Sequence, residues 1–468
     1  MSEMSEAANN PTSNVVAPAQ VVARQDFPDG LRLDLNLGVA SYPVFVSSKP
    51  AQLLAGYLDT LIGKKTAELA DLGRHFFVSN PPRIVVLCDE NTAELFGIEI
   101  EAQFITAGWE IDALTLPAGE TTKTLAAVEQ VCEALAALGA TRDTVLCSLG
   151  GGVISDLTGF IASTYKRGIP VAHIPTTLVG LIDASIGGKT AVNALSAKNM
   201  IGTYKHPLAV VSDLAFLDQL SDAEYVCGLA EAAKTAILSG EDCLAWMEDN
   251  ADALMARDPN TVRELAARCI AFKARIVAED PYENQQPSRR QALNYGHTLG
   301  HVIETITAIR AQEQAEELAQ DQMNQQEQDD DSAVNDSVSA SNEGALPSDA
   351  RADDEQAVDN PITVVSHGMA VAQGMRFEAR LAMQLVGADG DFILRQDTLL
   401  DRLGLPALDP SVMGNDMNLI DDTFYRDKKI TNSELRFVLL SAPGRPELVT
   451  VPRDILHDHL QTWMGIAA

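Results

Sequence analysis

The chain has 468 residues, 46% of them hydrophobic, which is enough for two or three domains with a substantial buried core. Its formal net charge of -32 argues against nucleic acid or an anionic membrane surface as a partner. No apolar run is long enough to span a membrane, and the acidic N-terminus MSEMSEAANNPTSN lacks the features of a secretory signal. We therefore predict a cytoplasmic protein.

The cysteines are scattered, without a C-x-x-C pair, and several lie within apolar runs such as TVLCSLG. This distribution favours reduced, buried thiols over disulfides or a cysteine-bound structural zinc. The six positions are Cys88, Cys132, Cys147, Cys227, Cys243 and Cys269.

The first half of the chain has the pattern of an α/β domain. Residues 1–25 are predicted to form a flexible tail. Between residues 26 and 215, strand-like runs such as RIVVLCDEN and VAHIPTT alternate with helical patterns such as LAAVEQVCEALAALG. Strands separated by helices predict a parallel sheet.

The second half, residues 216–468, has helical spacing of its apolar residues, as in SDAEYVCGLAEAAKTAIL, and predicts a mostly helical domain. An acidic segment at residues 311–360 interrupts it, with fifteen Asp or Glu and a single Arg. Because such a composition cannot bury enough apolar surface to offset its ordering entropy, we predict that this segment is disordered.

A glycine run marks a candidate nucleotide site. SLGGGVISDLTGF places Gly150–Gly152 between a strand and a helix, where the backbone can approach a phosphate at the helix N-terminus. A simple tight turn is the alternative. Upstream, Asp89 and Asn91 in CDEN and Glu120 and Lys123 in PAGETTK could hold ribose hydroxyls, or could serve as helix caps and surface turns.

A polar cluster follows in HIPTTLVGLIDASIGGKTAVN and SAKNMIGTYKHP. Asp183, Lys189, Lys198 and Asn199 stand among glycines and small residues in segments too apolar for a solvated surface, and Arg167 lies close by in sequence. Half-buried lysines need a partner, which is either an anionic ligand or a structural ion pair.

Glu231, His297 and His367, which are far apart in the sequence, would form a candidate metal-binding set. Glu231 and Lys234 lie on an otherwise apolar helix, LNYGHTLGH places His297 and His301 one helical turn apart, and His367 precedes another apolar helix. Two histidines and one carboxylate are typical of catalytic zinc with an open coordination position. The remaining histidines are expected in capping or surface roles: His75, His173, His206, His457 and His459.

Taken together, these segments resemble the 3-dehydroquinate synthase family, within the wider group of sugar phosphate cyclases. The resemblance runs from about residue 30 to 445, apart from the acidic segment. It is carried, in chain order, by PAGETTK, GGGVISDLTGF, STYKRG, PTTLVGLIDASIGGKTAVN, KNMIG, GLAEAAK, LNYGHTLGH, HGMAV and RDKK.

The resemblance implies a Rossmann-like N-terminal domain, a helical C-terminal domain, NAD, and Zn2+ or Co2+. The metal ligands would be Glu231, His297 and His367, with His301 beside the substrate as a hydrogen-bonding or acid/base group. The implied NAD-binding residues are Asp89, Asn91, Glu120, Lys123, Gly151, Gly152, Val153, Asp156, Thr176, Thr177, Asp183, Lys189, Lys198, Phe216, Leu217, Asp218 and Gln219.

The implied substrate is a seven-carbon sugar acid phosphate, whose carboxylate and phosphate suit lysine and arginine. The implied substrate-binding residues are Arg167, Asp183, Lys189, Asn199, Lys234, Lys273, Arg290, Asn294, His301, Lys428 and Lys429. Six of these are also implied in catalysis: Lys189, Lys234, Lys273, Arg290, Asn294 and His301.

The implied reaction converts 3-deoxy-D-arabino-heptulosonate 7-phosphate to 3-dehydroquinate and phosphate. It proceeds by transient oxidation with NAD, phosphate elimination, reduction and intramolecular aldol closure, so the net reaction is that of a lyase. We also predict a homodimer. The alternatives are another sugar phosphate cyclase and a metal-dependent polyol dehydrogenase.

The chain departs from the family pattern at two further points. Met369 follows the HG of the third ligand, where the family has Glu. The spacing between Lys273 and Arg290 is also longer than expected, which leaves open whether Glu283 is the acidic residue of that region.

Overall fold

A computed structural model of the protein describes residues 21–28, 30–71, 81–194, 197–284, 289–339, 364–414, 416–426 and 435–465. The predicted sites Lys428 and Lys429 lie outside these ranges, as do His75, residues 1–20 and residues 340–363.

One large sheet organises the N-terminal half. Its strands are β1 (Val22–Phe27), β2 (Gly30–Asn36), β3 (Ser41–Ser47), β4 (Arg83–Asp89), β5 (Glu110–Leu116), β6 (Val145–Gly150), β7 (Val171–Pro175) and β10 (Val210–Ser212). Two hairpins stand apart from it: β8 (Lys189–Ala194) with β9 (Ala197–Tyr204), and β11 (Leu435–Leu440) with β12 (Pro446–Val451).

The sheet has the order β1-β2-β3-β10-β7-β6-β4-β5. β1 to β3 form an antiparallel meander, and the strands from β3 to β5 in this order are parallel. β5 lies on one side of β4 and β6 on the other, so the chain reverses its direction across the sheet at β4. Ligands of such sheets bind at the carboxyl ends of the strands where this reversal occurs.

The helices complete the fold. They are α1 (Pro50–Asp71), α2 (Ile98–Thr106), α3 (Leu125–Ala137), α4 (Gly152–Thr164), α5 (Asp222–Ser239), α6 (Glu241–Met255), α7 (Pro259–Glu279), α8 (His297–Ser339), α9 (His367–Leu385), α10 (Gly390–Arg402), α11 (Met417–Arg426) and α12 (Arg453–Trp463). Shorter helical turns include Gly180–Ala184, Leu214–Gln219 and Arg289–Asn294.

Helices cover both faces of the parallel strands. Along β4, Ile84 and Val86 pack with α1 and α2, whereas Val85 and Leu87 pack with α3 and α4. Strands buried on both faces have continuous apolar sequences, which is why RIVVLCD is so hydrophobic. The predicted α/β domain with a parallel sheet is confirmed.

The helical half packs against the meander and around a second core. Apolar residues of β2 and β3 share a core with α5, α6, α7 and α9, so the two halves are joined by a continuous apolar contact. α8, α9, α11 and α12 pack with the β11–β12 hairpin in a separate core. The mostly helical C-terminal part is therefore also confirmed.

Two expectations about disorder need correction. Residues 22–25 belong to β1 rather than to a flexible tail, because they pair in register with β2. α8 continues through the acidic segment to Ser339, so residues 311–339 are helical in the structure. The composition is acidic, but Ala, Gln, Glu and Met have high helix propensity, and this outweighs the low apolar content over these residues.

The prediction of buried thiols holds for Cys88, Cys147 and Cys269, whereas Cys132, Cys227 and Cys243 are half-buried. All six cysteines are free thiols. None of the helices in the described ranges combines the length and apolarity that a membrane span requires.

Candidate metal and cofactor site

Glu231, His297 and His367 come together at the junction of α5, α8 and α9. The Oε1 atom of Glu231 lies 3.1 Å from Nε2 of His367 and 3.5 Å from Nε2 of His297. In the described part of the chain, this is the one group of three potential ligands whose donor atoms lie within 4.8 Å of one another. The structure thus assembles the three residues that the sequence could not bring together.

The junction depends on the close approach of two backbones, those of α9 at Gly374 and of the turn at Gly296 before α8. His297 and His367 are the first residues of α8 and α9. Gly296, at φ +78°, turns the chain into α8, and its N–H donates to Glu378 Oε2 at 2.8 Å. A Cβ on Gly374 would overlap the carbonyl group of Gly296, so α9 can pack against this turn only with glycine there.

The outer nitrogen of each imidazole has a partner of its own. Nδ1 of His297 lies 3.1 Å from the carbonyl oxygen of Tyr295, and Nδ1 of His367 lies 3.2 Å from Oε2 of Glu304. These contacts leave both Nε2 atoms facing Glu231. A ligating histidine usually has such a second partner, which sets its tautomer and ring orientation.

The protonation states of His297 and Glu231 suit ion binding, whereas that of His367 does not. Burial, with the nearby Lys234 cation, lowers the pKa of His297 to about 3. Burial opposes the charge on Glu231, but Lys234 and His297 outweigh it and hold the Glu231 pKa well below its usual value. Burial likewise opposes the charge on His367, yet hydrogen bonds to Glu231 and Glu304 raise the His367 pKa to about 10.

This donor set fits a divalent transition metal. Two neutral imidazole nitrogens and one carboxylate oxygen are the ligands that zinc and cobalt accept, with further positions open to substrate or water. His297 and Glu231 are already in the required protonation states, whereas His367 would release a proton on metal binding.

A predicted anion-binding cluster adjoins the three candidate ligands. Nζ of Lys234 lies 2.5 Å from Oε2 of Glu231 and 3.8 Å from Oδ2 of Asp183. Nζ of Lys273 also contacts the Asp183 carboxylate and donates to the Asp183 carbonyl at 2.7 Å. Burial opposes the charge on Asp183, but Lys273 and Lys234 outweigh it and hold its pKa below the usual value. Lys234 therefore links the candidate metal site to a cluster with two cations.

The segment before α8 adds two more predicted residues, Arg290 and Asn294, and α8 itself adds His301. Arg290 is buried, donates to the carbonyl oxygens of Gly187 and Pro281 at 3.2 and 2.5 Å, and lies over the ring of Tyr204. Asn294 is exposed at the end of the turn Arg289–Asn294. The His301 ring lies 5.5 Å from that of His297, centre to centre and nearly perpendicular. His301 therefore adjoins the ligands without joining them.

The β8–β9 hairpin supplies two lysines. Lys189 Nζ lies 2.6 Å from Oε2 of Glu283, and Lys198 Nζ lies 3.2 Å from Oε1 of Glu304. About half of each lysine side chain is exposed. Glu283 has a φ of +56°, which is unusual for a residue other than glycine. Its contact with Lys189 places it beside a residue predicted to bind the substrate.

Asp89 and Gly151, two of the predicted NAD-binding residues, lie at the crevice between the carboxyl ends of β4 and β6. Asp89 ends β4 and Gly150 ends β6, where the chain reverses its direction across the sheet. Gly151 is the N-cap of α4 and makes no side-chain cap, so its first turn presents free N–H groups. The Asp89 carboxylate accepts a hydrogen bond from Thr92 N at 2.9 Å, so the alternative prediction of a helix cap at Asp89 is confirmed.

The hairpin tip meets the same crevice. Lys123 Nζ lies 2.6 Å from both Oδ2 of Asp156 and Oδ1 of Asn199. Asn193 Nδ2 donates to Glu120 Oε1 at 2.8 Å. Three predicted cofactor residues, Glu120, Lys123 and Asp156, therefore lie in one hydrogen-bonded cluster with Asn193 and Asn199 of the hairpin.

Several other predicted residues lie outside the clusters described above. Phe216 and Leu217 are buried in the core, with the Phe216 ring 4.5 Å from that of Phe96, whereas Asp218 and Gln219 are exposed. Arg167 is exposed beyond the C-terminal end of α4, away from Gly151, and none of its side-chain contacts in the described ranges joins it to the other candidate residues.

Residue-level reasoning missed Glu304, Tyr295 and Asn193. Glu304 was detectable in principle, because it follows His297 by seven residues and so shares its helical face. Tyr295 acts through a backbone carbonyl and Asn193 through a hairpin contact, and neither leaves a sequence signal. His173 was wrongly expected at the surface or at a cap: it is buried, with Nδ1 2.8 Å from Ser148 Oγ.

Sequence comparisons agree with this geometry. Residues 113–227 match the family model of the 3-dehydroquinate synthase N-terminal domain, and residues 228–327 match that of the C-terminal domain. A 3-dehydroquinate synthase from Dehalococcoides mccartyi is 31% identical over 380 residues, covering 81% of this chain and 89% of the relative. The chain belongs to the 3-dehydroquinate synthase family. One from Rhodopirellula baltica is 28% identical, covering 89% and 93%.

Solved structures show the same fold in sugar phosphate cyclases. A 2-deoxy-scyllo-inosose synthase complexed with carbaglucose-6-phosphate, NAD+ and Co2+ has a TM-score of 0.63 at 23% identity, covering 81% of this chain and 90% of that one. A 2-epi-5-epi-valiolone synthase from Streptomyces hygroscopicus with NAD+ and Zn2+ has a TM-score of 0.61 at 23% identity, covering 82% and 91%.

Proposed function

We propose that this protein is a 3-dehydroquinate synthase, a lyase that converts 3-deoxy-D-arabino-heptulosonate 7-phosphate to 3-dehydroquinate and phosphate. One observation carries the proposal: Lys234 contacts both Glu231 of the candidate metal set and Asp183 of the anion-binding cluster. A cation site and an anion site therefore share a side chain. Such a site suits a substrate that carries hydroxyls and negative charge on one small carbon chain.

The cofactors proposed here are NAD and Zn2+ or Co2+. A divalent ion would supply Lewis-acid polarisation of substrate hydroxyls, and NAD would supply a reversible hydride acceptor. Support comes from the donor set at Glu231, His297 and His367, and from the free N–H groups at Gly151 in the β4–β6 crevice. The two similar cyclase structures contain NAD+ together with Co2+ in one and Zn2+ in the other.

The chain's own residues would bind the substrate and move its protons. Lys273, Lys234 and Arg290 would balance the carboxylate and phosphate charges, because each is a buried or half-buried cation. His301 lies one helical turn from His297 and has the side chain best suited to exchange a proton near neutral pH. Asp183 would keep the two lysines in place until a substrate anion competes for them.

A substrate carboxylate separates this proposal from other sugar phosphate cyclases. Arg290 and Lys273 approach the turn at Gly187 and Asp183 from the helical side, where they add positive charge beyond what one phosphate needs. A polyol dehydrogenase would have no use for this number of cations. The homodimer and the cytoplasmic location remain predictions.

Comparison of two substrates tests the proposal. The purified protein, loaded with NAD and Co2+, would be assayed by phosphate release from 3-deoxy-D-arabino-heptulosonate 7-phosphate and from glucose 6-phosphate, with NMR of the products. We expect turnover of the acid sugar phosphate to a carbocyclic acid, and at least about a hundredfold lower kcat/KM for the substrate without a carboxylate, since buried cations would lose their partner. Equal or reversed preference would assign the chain to another cyclase activity.

A further inference from the structure

Glu304 occupies a position between two parts of the candidate site. It lies on α8, seven residues after His297 and three after His301, so the three side chains share one helical face. Its carboxylate is mostly buried, with 11% of the side chain exposed. Oε2 faces Nδ1 of His367 and Oε1 faces Nζ of Lys198, each at 3.2 Å.

The first contact concerns the orientation of His367. Because Nε2 of His367 faces Glu231, the Nδ1 contact with Glu304 sets both the tautomer and the angle of the ring. His297 differs, since its Nδ1 contacts the main-chain carbonyl of Tyr295. The Nδ1 partner of His367 is thus a side chain, which a substitution can remove, whereas the Nδ1 partner of His297 is main chain.

The second contact reaches the other half of the molecule. Lys198 lies on β9 of the hairpin that packs against α4, and its neighbour Asn199 contacts Lys123 beside the β4–β6 crevice. About half of the Lys198 side chain is exposed, so its ion pair with Glu304 holds the hairpin locally and adds little to the stability of the whole molecule. Glu304 thus connects a candidate metal ligand on the helical half with a hairpin on the α/β half.

We propose that Glu304 is a positioning residue with two tasks: it orients His367 toward a divalent cation, and it anchors the β8–β9 hairpin through Lys198. The inference rests on the proposed metal site but is independent of which sugar phosphate is the substrate. In this arrangement the carboxylate that completes the metal site also holds the hairpin whose tip lies at the proposed NAD crevice.

The test measures cation affinity without turnover. Metal-free protein would be titrated with Co2+ and Zn2+ in competition with a chromophoric chelator. We expect Glu304→Ala to weaken both affinities about 10–100-fold, because the second partner of a ligating histidine is lost. Glu304→Gln keeps the size of the side chain and should weaken affinity less. Urea unfolding of each metal-free variant checks that it folds.

Lys198→Met is the matched control, because it removes the contact between Glu304 and the hairpin and leaves the contact between Glu304 and His367. Its cation affinity should stay within about threefold of wild type, since no metal partner is touched. Hydrogen exchange of residues 189–204, measured by mass spectrometry, should become faster in both Lys198→Met and Glu304→Ala.

The outcomes separate this inference from the proposed function. Wild-type cation affinity in a folded Glu304→Ala variant would overturn the orienting role, and unchanged exchange in the hairpin of both variants would overturn the anchoring role. If the wild-type protein itself binds neither cation at Glu231, His297 and His367, as judged against His297→Asn, the proposed function fails instead.

Discussion

At the scale of single residues, buried charges in the site depend on one another. Lys234 is almost wholly buried and contacts Glu231 and Asp183, and burial lowers its pKa less than these two carboxylates raise it. Removing one member leaves the others as uncompensated buried charges. Exposed members of the site lack this dependence, so stability and activity should respond differently to their loss.

Lys189 is the clearest exposed case. Half of its side chain is exposed and its one ion pair is with Glu283, so Lys189→Ala should change the free energy of unfolding by less than about 1 kcal/mol. Turnover should fall at least about a hundredfold if this cation contacts the reacting substrate, while NAD still binds through the other implied residues. Urea unfolding, phosphate release and NAD titration would be compared with Arg453→Ala, which removes another exposed ion pair. Wild-type turnover would show that Lys189 is misassigned.

His173 provides a prediction of pH dependence outside the site. Burial lowers its pKa to about 4, below the value of about 6.5 in the unfolded chain. Between these values the unfolded state binds the extra proton, so stability falls as pH decreases from 6.5 toward 4. Between pH 7 and pH 5, His173→Gln should therefore lose about 2 kcal/mol less unfolding free energy than wild type. Equal losses in denaturant titrations at the two pH values would contradict this account.

Residue chemistry also limits what the sequence could predict. The three metal residues and the lysines stood out because charged side chains in apolar or glycine-rich segments are unusual. The ion pairs that these side chains form could not be predicted, because the two partners are about a hundred residues apart in the sequence, as in Lys189 with Glu283 and Lys198 with Glu304. Local patterns cannot reveal which distant charges meet.

At the scale of elements, the approach of α9 to the Gly296 turn sets the geometry of the candidate metal site. Gly374→Ala would place a methyl group against the Gly296 carbonyl, so we expect a loss of about 3 kcal/mol or more in unfolding free energy. Weaker Co2+ binding should accompany it, because His297 directly follows Gly296. Gly390→Ala is the control, since nothing lies within 4 Å of its added Cβ. Equal stability of the two variants would contradict the packing argument.

The parallel strands and most helices were predictable, because their apolar runs and periodicities are long and uninterrupted. The β8–β9 hairpin was not predicted, because its sequence GKTAVN and AKNMIGTY mixes small and polar residues whose strand character depends on packing against α4. The helix through residues 311–339 shows the converse error, where composition was given more weight than helix propensity.

At the scale of the whole molecule, the parts of the chain that flank the acidic segment, at Thr307 and Val365, lie in contact with each other. Arg310 donates to the carbonyl oxygens of Ser411 and Val412, and Val365 N donates to Thr307 Oγ1 at 3.2 Å. Deleting residues 312–358 leaves a short connection between neighbouring points, which costs little closure entropy. We expect unchanged turnover and metal content, measured by phosphate release and elemental analysis. Loss of either would give the segment a role in the site.

The proposed reaction is a cycle in which NAD is reduced and reoxidised beside a divalent ion. The most direct test follows phosphate release from 3-deoxy-D-arabino-heptulosonate 7-phosphate and NADH absorbance together, before and after chelation. We expect phosphate release without net NADH, lost with chelator and restored by Co2+ or Zn2+. NADH accumulating in proportion to product, or phosphate release that chelation leaves unchanged, would contradict it.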